Sequence, residues 1–478
     1  MKGTVEPRLS RGLRDLLPEQ MLARQRMIAT IRGVYERYGF VPLETPAIEY
    51  LDVLSGSAGA EAQQSIFRVS NPEEEALGLR FDLTVPLARV VSQYPDLPRP
   101  FRRYQVSSVW RADKPDPGRF REFTQFDIDS VGVESEIADT EILCTACDAL
   151  SALDVGPYRV RFSSRRVLNL LLAYAEIAAD RGAEVFRVLD KLDKIGAERV
   201  RKELTTGYID DSGVKIAGLG LSSAQVDRIE RFLAIGSGKR DDVLAQLREV
   251  FAGVSGATDE IDVLARMARH LTALGYDDDR VQIDVSIARG LAYYTGPVFE
   301  ANLLDLPRFG SVLGGGRYDE LVTRFLGEKV PAVGASIGVD RLLAALVEIG
   351  RVRLAMSTAQ VLVTTIDPTL TDDYVALAFE LRRAGIRTEL YLGTQKRFGK
   401  QVKYADQCDV PIVIVCGSDE KAKGVVTIKD MRAGKARAGE VAGRDQWREE
   451  RPGQFEAPRS GIVAAIRDLL SKMGEDGQ

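Results

Sequence analysis

Apolar residues recur at helical spacing between residues 22 and 38, at Met27, Ile28, Ile31, Val34, Tyr35 and Tyr38, and Gly39 stops the run. Phe40 to Pro46 continues as an extended segment. Short strands are predicted around Ser65–Val69 and Leu79–Asp82, then a helix over Val85–Gln93. Residues 101–132 have the alternation of a long antiparallel hairpin, and residues 135–153 read as a helix. From Val167 to about Leu274 the pattern changes: Leu168, Leu171, Leu172, Val185, Val188, Leu189, Leu192, Val200 and Leu204 repeat at helical spacing amid many charges, which predicts a mostly helical insertion.

Strands return at Val281–Ile287 and Val298–Leu303. A glycine-rich segment, Gly314-Gly315-Gly316-Arg317-Tyr318, follows, and then a strand and helix over Val333–Glu348. Near residue 355 the composition shifts again. Val361–Thr364, Ile386–Tyr391, Pro411–Cys416 and Val425–Ile428 are strand-like, and Tyr374–Arg383, Gly399–Gln407 and Gly461–Met473 are helix-like. Strands alternating with helices predict a small α/β domain. The divisions read this way are 1–166, 167–274, 275–352 and 357–478.

A length of 478 residues is too much for one ordinary core, so several domains are expected. With 45% hydrophobic and 28% charged residues the chain reads as soluble and globular, with no apolar run near the ~20 residues of a membrane helix. Met1 to Pro7 lacks the apolar stretch of a secretory signal. The cysteines are Cys144, Cys147, Cys408 and Cys416. The Cys144-x-x-Cys147 pair falls in a helical pattern with no second pair near it, and it reads as buried structural thiols in a reducing cytoplasm rather than a metal or redox site. One histidine, His270, in the whole chain turns any catalysis toward carboxylates, arginines and backbone. There is no GxxxxGK[ST], which excludes a P-loop ATPase at the level of motif.

Three constellations carry chemistry. On the return strand of the hairpin, Arg121, Phe123, Gln125, Asp127 and Asp129 share one face and Phe126 and Ile128 the other. The first face lines up a cation, an aromatic plate, an amide and two carboxylates. Such a set suits a phosphate, a purine and an α-ammonium group, and it equally suits a solvated hairpin face with surface ion pairs. Arg341 follows a glycine-dotted strand, Gly334 to Gly338, in the first turn of a helix. A cation there opposes the helix dipole unless a polyanion such as ATP sits beside it; a surface arginine is the other reading. Arg289-Gly290-Leu291-Ala292-Tyr293-Tyr294-Thr295-Gly296 places an arginine and paired tyrosines in a glycine-bounded loop. That suits a pocket for a small polar ring, or a core aromatic cluster.

Gly118-Arg119-Phe120-Arg121-Glu122-Phe123, with Gln125 and Asp129, resembles motif 2 of class II aminoacyl-tRNA synthetases, and Gly338-Val339-Asp340-Arg341 resembles motif 3. Arg289 to Glu300 and Gly315-Gly316-Arg317-Tyr318-Asp319 resemble the two signatures of the histidyl-tRNA synthetase family. The segment ending at Pro46 is similar to motif 1, the dimer element, and the resemblance extends to Gly399–Asp406. It implies an α/β chain: an α+β catalytic core with the class II antiparallel sheet flanked by helices, a helical insertion, and a C-terminal α/β anticodon-binding domain. By the same resemblance Asp82, Leu83, Thr84, Gln125 and Asp129 contact histidine, and Tyr293 and Tyr294 read its imidazole. Arg111 binds the α-phosphate and the substrate carboxylate, and Arg121 faces ATP. Asp113 and Phe123 hold the adenosine, Arg341 the γ-phosphate, and Arg289 neutralises the α-phosphate where relatives use a metal. Ala292 stands where the family has an acidic residue, and Asp113 and Asp340 where glutamate is common.

The activity implied is histidine–tRNA ligation. ATP and Mg²⁺ would activate L-histidine, and the adenylate would be passed to the 3′ end of tRNA(His). No metal is implied on protein ligands, and the family implies a cytoplasmic homodimer. Between Lys396 and Arg437, ten Lys/Arg face five Asp/Glu in a chain of net charge −5, a local basic patch suited to tRNA phosphate or simply a solvated helix face. Two rivals share the core: a regulatory subunit of ATP phosphoribosyltransferase, expected to lack the anticodon domain, and a sensor of uncharged tRNA, which would need an attached effector domain.

Overall fold

Hydrogen bonding across the two arms of residues 101–131 sets the architecture. In a computed structural model of the chain, which describes residues 5–55, 64–114, 119–211, 213–287, 293–352, 354–395, 397–433 and 453–474, two compact units are found. One comprises residues 1–15 and 24–352, the other residues 16–23 and 353–478. The strands of the first unit are β1 (Val41–Pro42), β2 (Ile48–Tyr50), β3 (Arg68–Val69), β4 (Leu77–Leu79), β5 (Phe101–Trp110), β6 (Glu122–Val131) and β7 (Tyr158–Ser164), followed by β8 (Gly207–Ile209), β9 (Lys215–Ala217), β10 (Ser237–Gly238), β11 (Val281–Asp284), β12 (Pro297–Leu303), β13 (Ser311–Arg317) and β14 (Ala332–Gly338).

Among the described residues nine of these form one sheet, in the order β1-β5-β6-β14-β13-β12-β7-β11-β10. Its pairs are antiparallel except β1 with β5 and β7 with β11. Antiparallel pairing from β5 through β7 is what the hairpin pattern and the class II resemblance imply. One face of β6 carries Phe126 and Ile128, fully buried. Phe126 meets Tyr35 of the helix Pro18–Arg37 edge-on at 4.9 Å and Tyr104 of β5 at 5.9 Å, an aromatic wedge that fixes which face of the hairpin goes inward.

Helix Glu136–Ala152 starts at Ser135, whose hydroxyl accepts from the Ile137 amide, with Glu136 in the first turn where the helix dipole favours it. Its buried residues run around most of its circumference because it packs against β14 and β13 as well as helix Ala257–Ala273. Cys144 and Cys147 lie there, buried and free; burial pushes the Cys144 thiol up to about 12 and Cys147 further still, so both are inert protonated thiols at neutral pH.

The stretch 165–273 consists of helices Arg165–Tyr174, Gly182–Leu189, Leu192–Leu204, Ser223–Leu233, Arg240–Val250 and Ala257–Ala273. It also holds a β8–β9 hairpin and the edge strand β10, which the helical periodicity did not pick out. The glycine-rich segment, for which alternation predicts no strand, is β13 in the centre of the large sheet. Its Gly315 has no room for a side chain: a Cβ would lie 2.3 Å from the Gly334 carbonyl oxygen.

The second unit has a five-stranded sheet of β15 (Val361–Val363), β16 (Thr388–Leu390), β17 (Ile412–Val415), β18 (Val425–Asp430) and β19 (Gln454–Pro458), in the order β16-β15-β17-β18-β19. β15 runs parallel to both its neighbours. Val361 and Val363 join one core with Tyr374, Leu377 and Ile466, and Leu362 joins the other with Ala405 and Val413. Helices Thr371–Arg383 and Ile462–Lys472 thus cover one face and helix Phe398–Gln407 the other, the α/β sandwich read from the alternation. β19 is a strand the pattern missed. Among the described residues no helix is long and apolar enough to cross a membrane.

Candidate active site

The face of the large sheet opposite Phe126 is polar at its centre. Register places Arg103 opposite Asp129, Gln105 opposite Asp127, and Ser107 opposite Gln125. On the other side of β6, Gly334, Ser336 and Gly338 of β14 stand opposite Asp129, Asp127 and Gln125. Three cross-strand rows thus gather a guanidinium, two carboxylates and two amides on a floor with small or absent side chains beside them. Glycine at two positions serves the protein's own side chains. A Cβ on Gly334 would lie 1.9 Å from Asp129 Oδ1, and one on Gly316 would lie 2.9 Å from the Tyr294 ring. At Gly338 nothing comes within 3.8 Å, so it is this glycine that leaves space above the floor.

Arg103 is fully buried. Its guanidinium lies 2.8 Å from Asp129 and donates to the Leu83 carbonyl at 3.0 Å. The Tyr318 hydroxyl donates to the same Asp129 carboxylate. Asp82 accepts from the Val85 amide at 3.0 Å, starting helix Thr84–Gln93. Burial raises Asp82, Asp127 and Asp129 above the usual carboxylate range, against the pull of Arg103 on all three; Asp127 is pushed up to about 7. Over this floor Tyr293 and Tyr294 lie with ring centroids 4.7 Å apart, and Tyr318 meets Tyr293 edge-on at 6.2 Å. Burial, then the neighbouring Tyr294 and Asp82, hold the Tyr293 phenol well above its ordinary range. The phenols therefore stay protonated and able to donate.

At the outer end of the hairpin, Arg111 donates to the Phe81 carbonyl at 2.9 Å, with its guanidinium 5.1 Å from the Phe123 ring. Arg121 donates to the Asp113 carbonyl at 3.1 Å, and the Asp113 carboxylate pairs with Arg119 at 2.5 Å. Arg341 donates to the Ser311 carbonyl at 2.8 Å, while its neighbour Asp340 takes the Thr124 amide at 2.6 Å and Arg14 at 3.0 Å. Asp340, not Arg341, thus complements the start of helix Val339–Glu348.

The structure brings Asp82, Gln125, Asp129, Tyr293 and Tyr294 together around Arg103, with Arg111 and Phe123 at the margin. The Leu83 side chain is fully buried in the core, which leaves only its backbone facing the site. Arg121 donates its guanidinium to two backbone carbonyls, Asp113 in the hairpin at 3.1 Å and Arg11 in the N-terminal segment at 3.4 Å. Arg289 and Ala292 lie outside the described residues. Sequence reasoning missed Arg103 and Ser336, and placed Asp127 on the face without assigning it to the site.

The family model for histidyl-tRNA synthetase matches residues 12–342, and that of the anticodon-binding domain residues 360–443. The histidine–tRNA ligase of Ruegeria sp. (strain TM1040) is 44% identical over 485 residues, covering 98% of this chain and 96% of that one. The chain belongs to the histidyl-tRNA synthetase family. The histidine–tRNA ligase of Paracoccus denitrificans is likewise 44% identical, with 96% and 97% of the two chains covered. Among solved structures, the histidyl-tRNA synthetase of Nostoc sp. PCC 7120 superposes with a TM-score of 0.81 at 31% identity, over 98% of this chain and all of that one. An ATP phosphoribosyltransferase regulatory subunit/histidyl-tRNA synthetase from Bacillus halodurans gives a TM-score of 0.69 at 21% identity, a likeness of fold alone, and covers 84% of this chain. Within the histidyl-tRNA synthetase family, then, this chain carries both the catalytic sheet and the C-terminal anticodon-binding domain.

Proposed function

We propose that the floor around Arg103, with its tyrosine wall, binds histidine and that its outer end binds ATP. As a histidyl-tRNA synthetase, the chain is an ATP-dependent ligase that joins histidine to tRNA, with AMP and pyrophosphate released. The observation that carries the site assignment is the gathering at one place on the sheet of three buried side chains, Asp82 held by the Val85 amide, Asp129 by Arg103 and Tyr318, and Gln125 by Ser336, beneath the partly buried Tyr293 and Tyr294. Asp82, Gln125 and Asp129 offer acceptors for an α-ammonium group and an imidazole N–H, and protonated phenols offer donors to the other ring nitrogen.

In this reading the first step is in-line. The histidine carboxylate attacks the α-phosphorus of ATP, a new P–O bond forms, and the bond to pyrophosphate breaks. Arg111, tethered to the Phe81 carbonyl and backed by Phe123, holds the α-phosphate and the attacking carboxylate together. Arg289 neutralises charge on the α-phosphate and Arg341 holds the γ-phosphate. The terminal ribose hydroxyl of tRNA(His) then attacks the adenylate carbonyl and AMP departs. Arginines suit this chemistry because it needs positioning and fixed positive charge rather than titration. Mg²⁺ would enter with ATP as part of the nucleotide substrate. A homodimer in the cytoplasm completes the reading.

Replacing Arg289 with alanine is expected to abolish histidine-dependent ATP–pyrophosphate exchange and to leave the thermal unfolding profile unchanged. Near-normal exchange in that variant would remove Arg289 from the mechanism. The regulatory-subunit alternative predicts no charging of tRNA at all by the purified chain. The anticodon-binding domain at residues 360–443 favours the ligase.

A further inference from the structure

Asp127 is not used by the reading above, yet it occupies the middle of the floor and is 2% exposed. Along its own strand it lies between Gln125 and Asp129, and across from it stand Gln105 on β5 and Ser336 on β14. The Gln125 amide nitrogen donates to the Ser336 hydroxyl at 2.7 Å and reaches Asp127 Oδ1 at 3.4 Å, while the buried Gln125 Oε1 has no hydrogen-bond partner. The charged and titratable groups around Asp127 are Arg103 from β5, Asp129 from β6 and Asp82 from the turn before helix Thr84–Gln93. The phenols of Tyr294 and Tyr35 approach from the two faces of the sheet. Arg111 stands beside Asp82, and Tyr318 on Asp129.

Asp127 and Asp129 therefore share one buried guanidinium among the described residues, Arg103, while Asp82 has Arg111 beside it. Fully ionised, they leave one negative charge uncompensated in a site where an unpaired charge is costly. The α-ammonium group of an amino acid matches that local excess, with the ligand's carboxylate turned toward Arg111 at the outer end of the hairpin. We propose that Asp127 is part of the amino-acid-binding face, present as a neutral carboxylic acid in the empty pocket and releasing its proton as the substrate's ammonium group binds. The assignment of the proton to Asp127 rather than Asp129 follows from their partners. Asp129 has the Arg103 guanidinium at 2.8 Å and a phenol hydroxyl, which both favour its charged form, whereas among the described residues Asp127 takes hydrogen bonds only from the uncharged Gln125 amide and Ser336 hydroxyl and feels Arg103 without pairing with it.

Burial, with repulsion from Asp129 and Asp82, holds Asp127 at about 7 against the pull of Arg103 and the Ser336 hydroxyl. A newly arrived cation lowers that value, so the O–H bond of Asp127 breaks, the proton passes to solvent, and the ammonium group keeps its charge. The proposal rests on the reading of this floor as the histidine pocket.

The test is titration calorimetry of histidine binding in two buffers of different ionisation heat, which counts protons released per histidine bound. At pH 7 the unaltered protein is expected to release about half a proton more than Asp127→Asn, because the contribution of the ligand's own imidazole is common to both. Equal counts in the two proteins would overturn the proposal. Should Asp127→Asn fail to fold, the unaltered protein still decides: release has to shrink toward zero between pH 7 and 8.5, and a count that is nil at pH 7 or flat across that range overturns it. No binding of histidine at any pH would overturn the pocket assignment itself, a different result from binding without proton release.

Discussion

Arg102 and Arg103 are adjacent in sequence and opposite in consequence. Arg102 points away from the floor, pairs with Glu141 at 2.7 Å and is 27% exposed; Arg103 is fully buried against Asp129. The first pair is covered on the Arg102 side but reaches water through Glu141, so Arg102→Met is expected to cost about 1 kcal/mol. Removing the second cation strands buried carboxylates, and Arg103→Met is expected to destabilise the fold by roughly 3–5 kcal/mol. Urea unfolding of the two variants checks this, and equal losses would show that Arg103 is not the counter-charge of the floor. The identity of Arg103 was within reach of the sequence. A hairpin turning over residues 113–118 puts residues whose numbers sum to about 232 opposite one another, and 103 with 129 is such a pair. What alternation does not reveal is which of several arginines on the outgoing strand is buried, because that depends on the turn before helix Thr84–Gln93, whose Leu83 carbonyl receives it.

At the scale of elements, the tyrosine wall is held from behind. The Arg165 amide donates to the Gly296 carbonyl at 2.8 Å, and Arg166 Nε donates to the Thr295 carbonyl at 3.0 Å. Both donors open helix Arg165–Tyr174. The Thr295 amide in turn donates to the Arg317 carbonyl at 2.8 Å, and its hydroxyl accepts from the Asp319 amide at 3.0 Å. Arg317 is anchored to helix Glu136–Ala152 by Asp139 at 2.6 Å. Arg166→Ala removes one bond to the loop that follows Tyr294, a loss of about 1 kcal/mol or roughly fivefold. The expectation is a histidine KM raised by about that factor in pyrophosphate exchange, with the ATP KM unmoved; a change in both alike would argue for general loosening instead. These elements were unequally legible. The hairpin, the helix after it and the C-terminal sandwich follow from apolar periodicity, because each has one face on a core. β13 was not legible, because its glycines are there for what lies above and below them, the Tyr294 ring and the Gly334 backbone, and such contacts leave no period in the chain. The motifs found the ends of the site, and its buried middle, Asp127 with Arg103 and Ser336, required the register.

Across the whole molecule the net charge is −5, so tRNA recognition has to rest on local charge. The C-terminal unit supplies less than its composition suggests. Of the ten basic residues between Lys396 and Arg437, Lys429 is buried, Arg432 is half-buried and Lys421 is paired with Asp373 at 2.7 Å, and Lys396, Lys435 and Arg437 lie outside the described residues. Arg397, Lys400 and Lys403 remain exposed at and within helix Phe398–Gln407, with Lys423 elsewhere on the unit. Such side chains release counterions when they meet phosphates, and each contact contributes about one unit to the salt dependence of binding. Reversing two of them, Lys400→Glu with Lys403→Glu, is therefore expected to weaken tRNA binding and to flatten the slope of log Kd against log salt by about two. Histidine-dependent pyrophosphate exchange needs no tRNA and should stay at the level of the unaltered protein. Binding measured at four or five salt concentrations separates the possibilities: an unchanged slope would move the phosphate contacts off this helix, while a loss of exchange together with tRNA affinity would point to a damaged fold rather than to a lost interface.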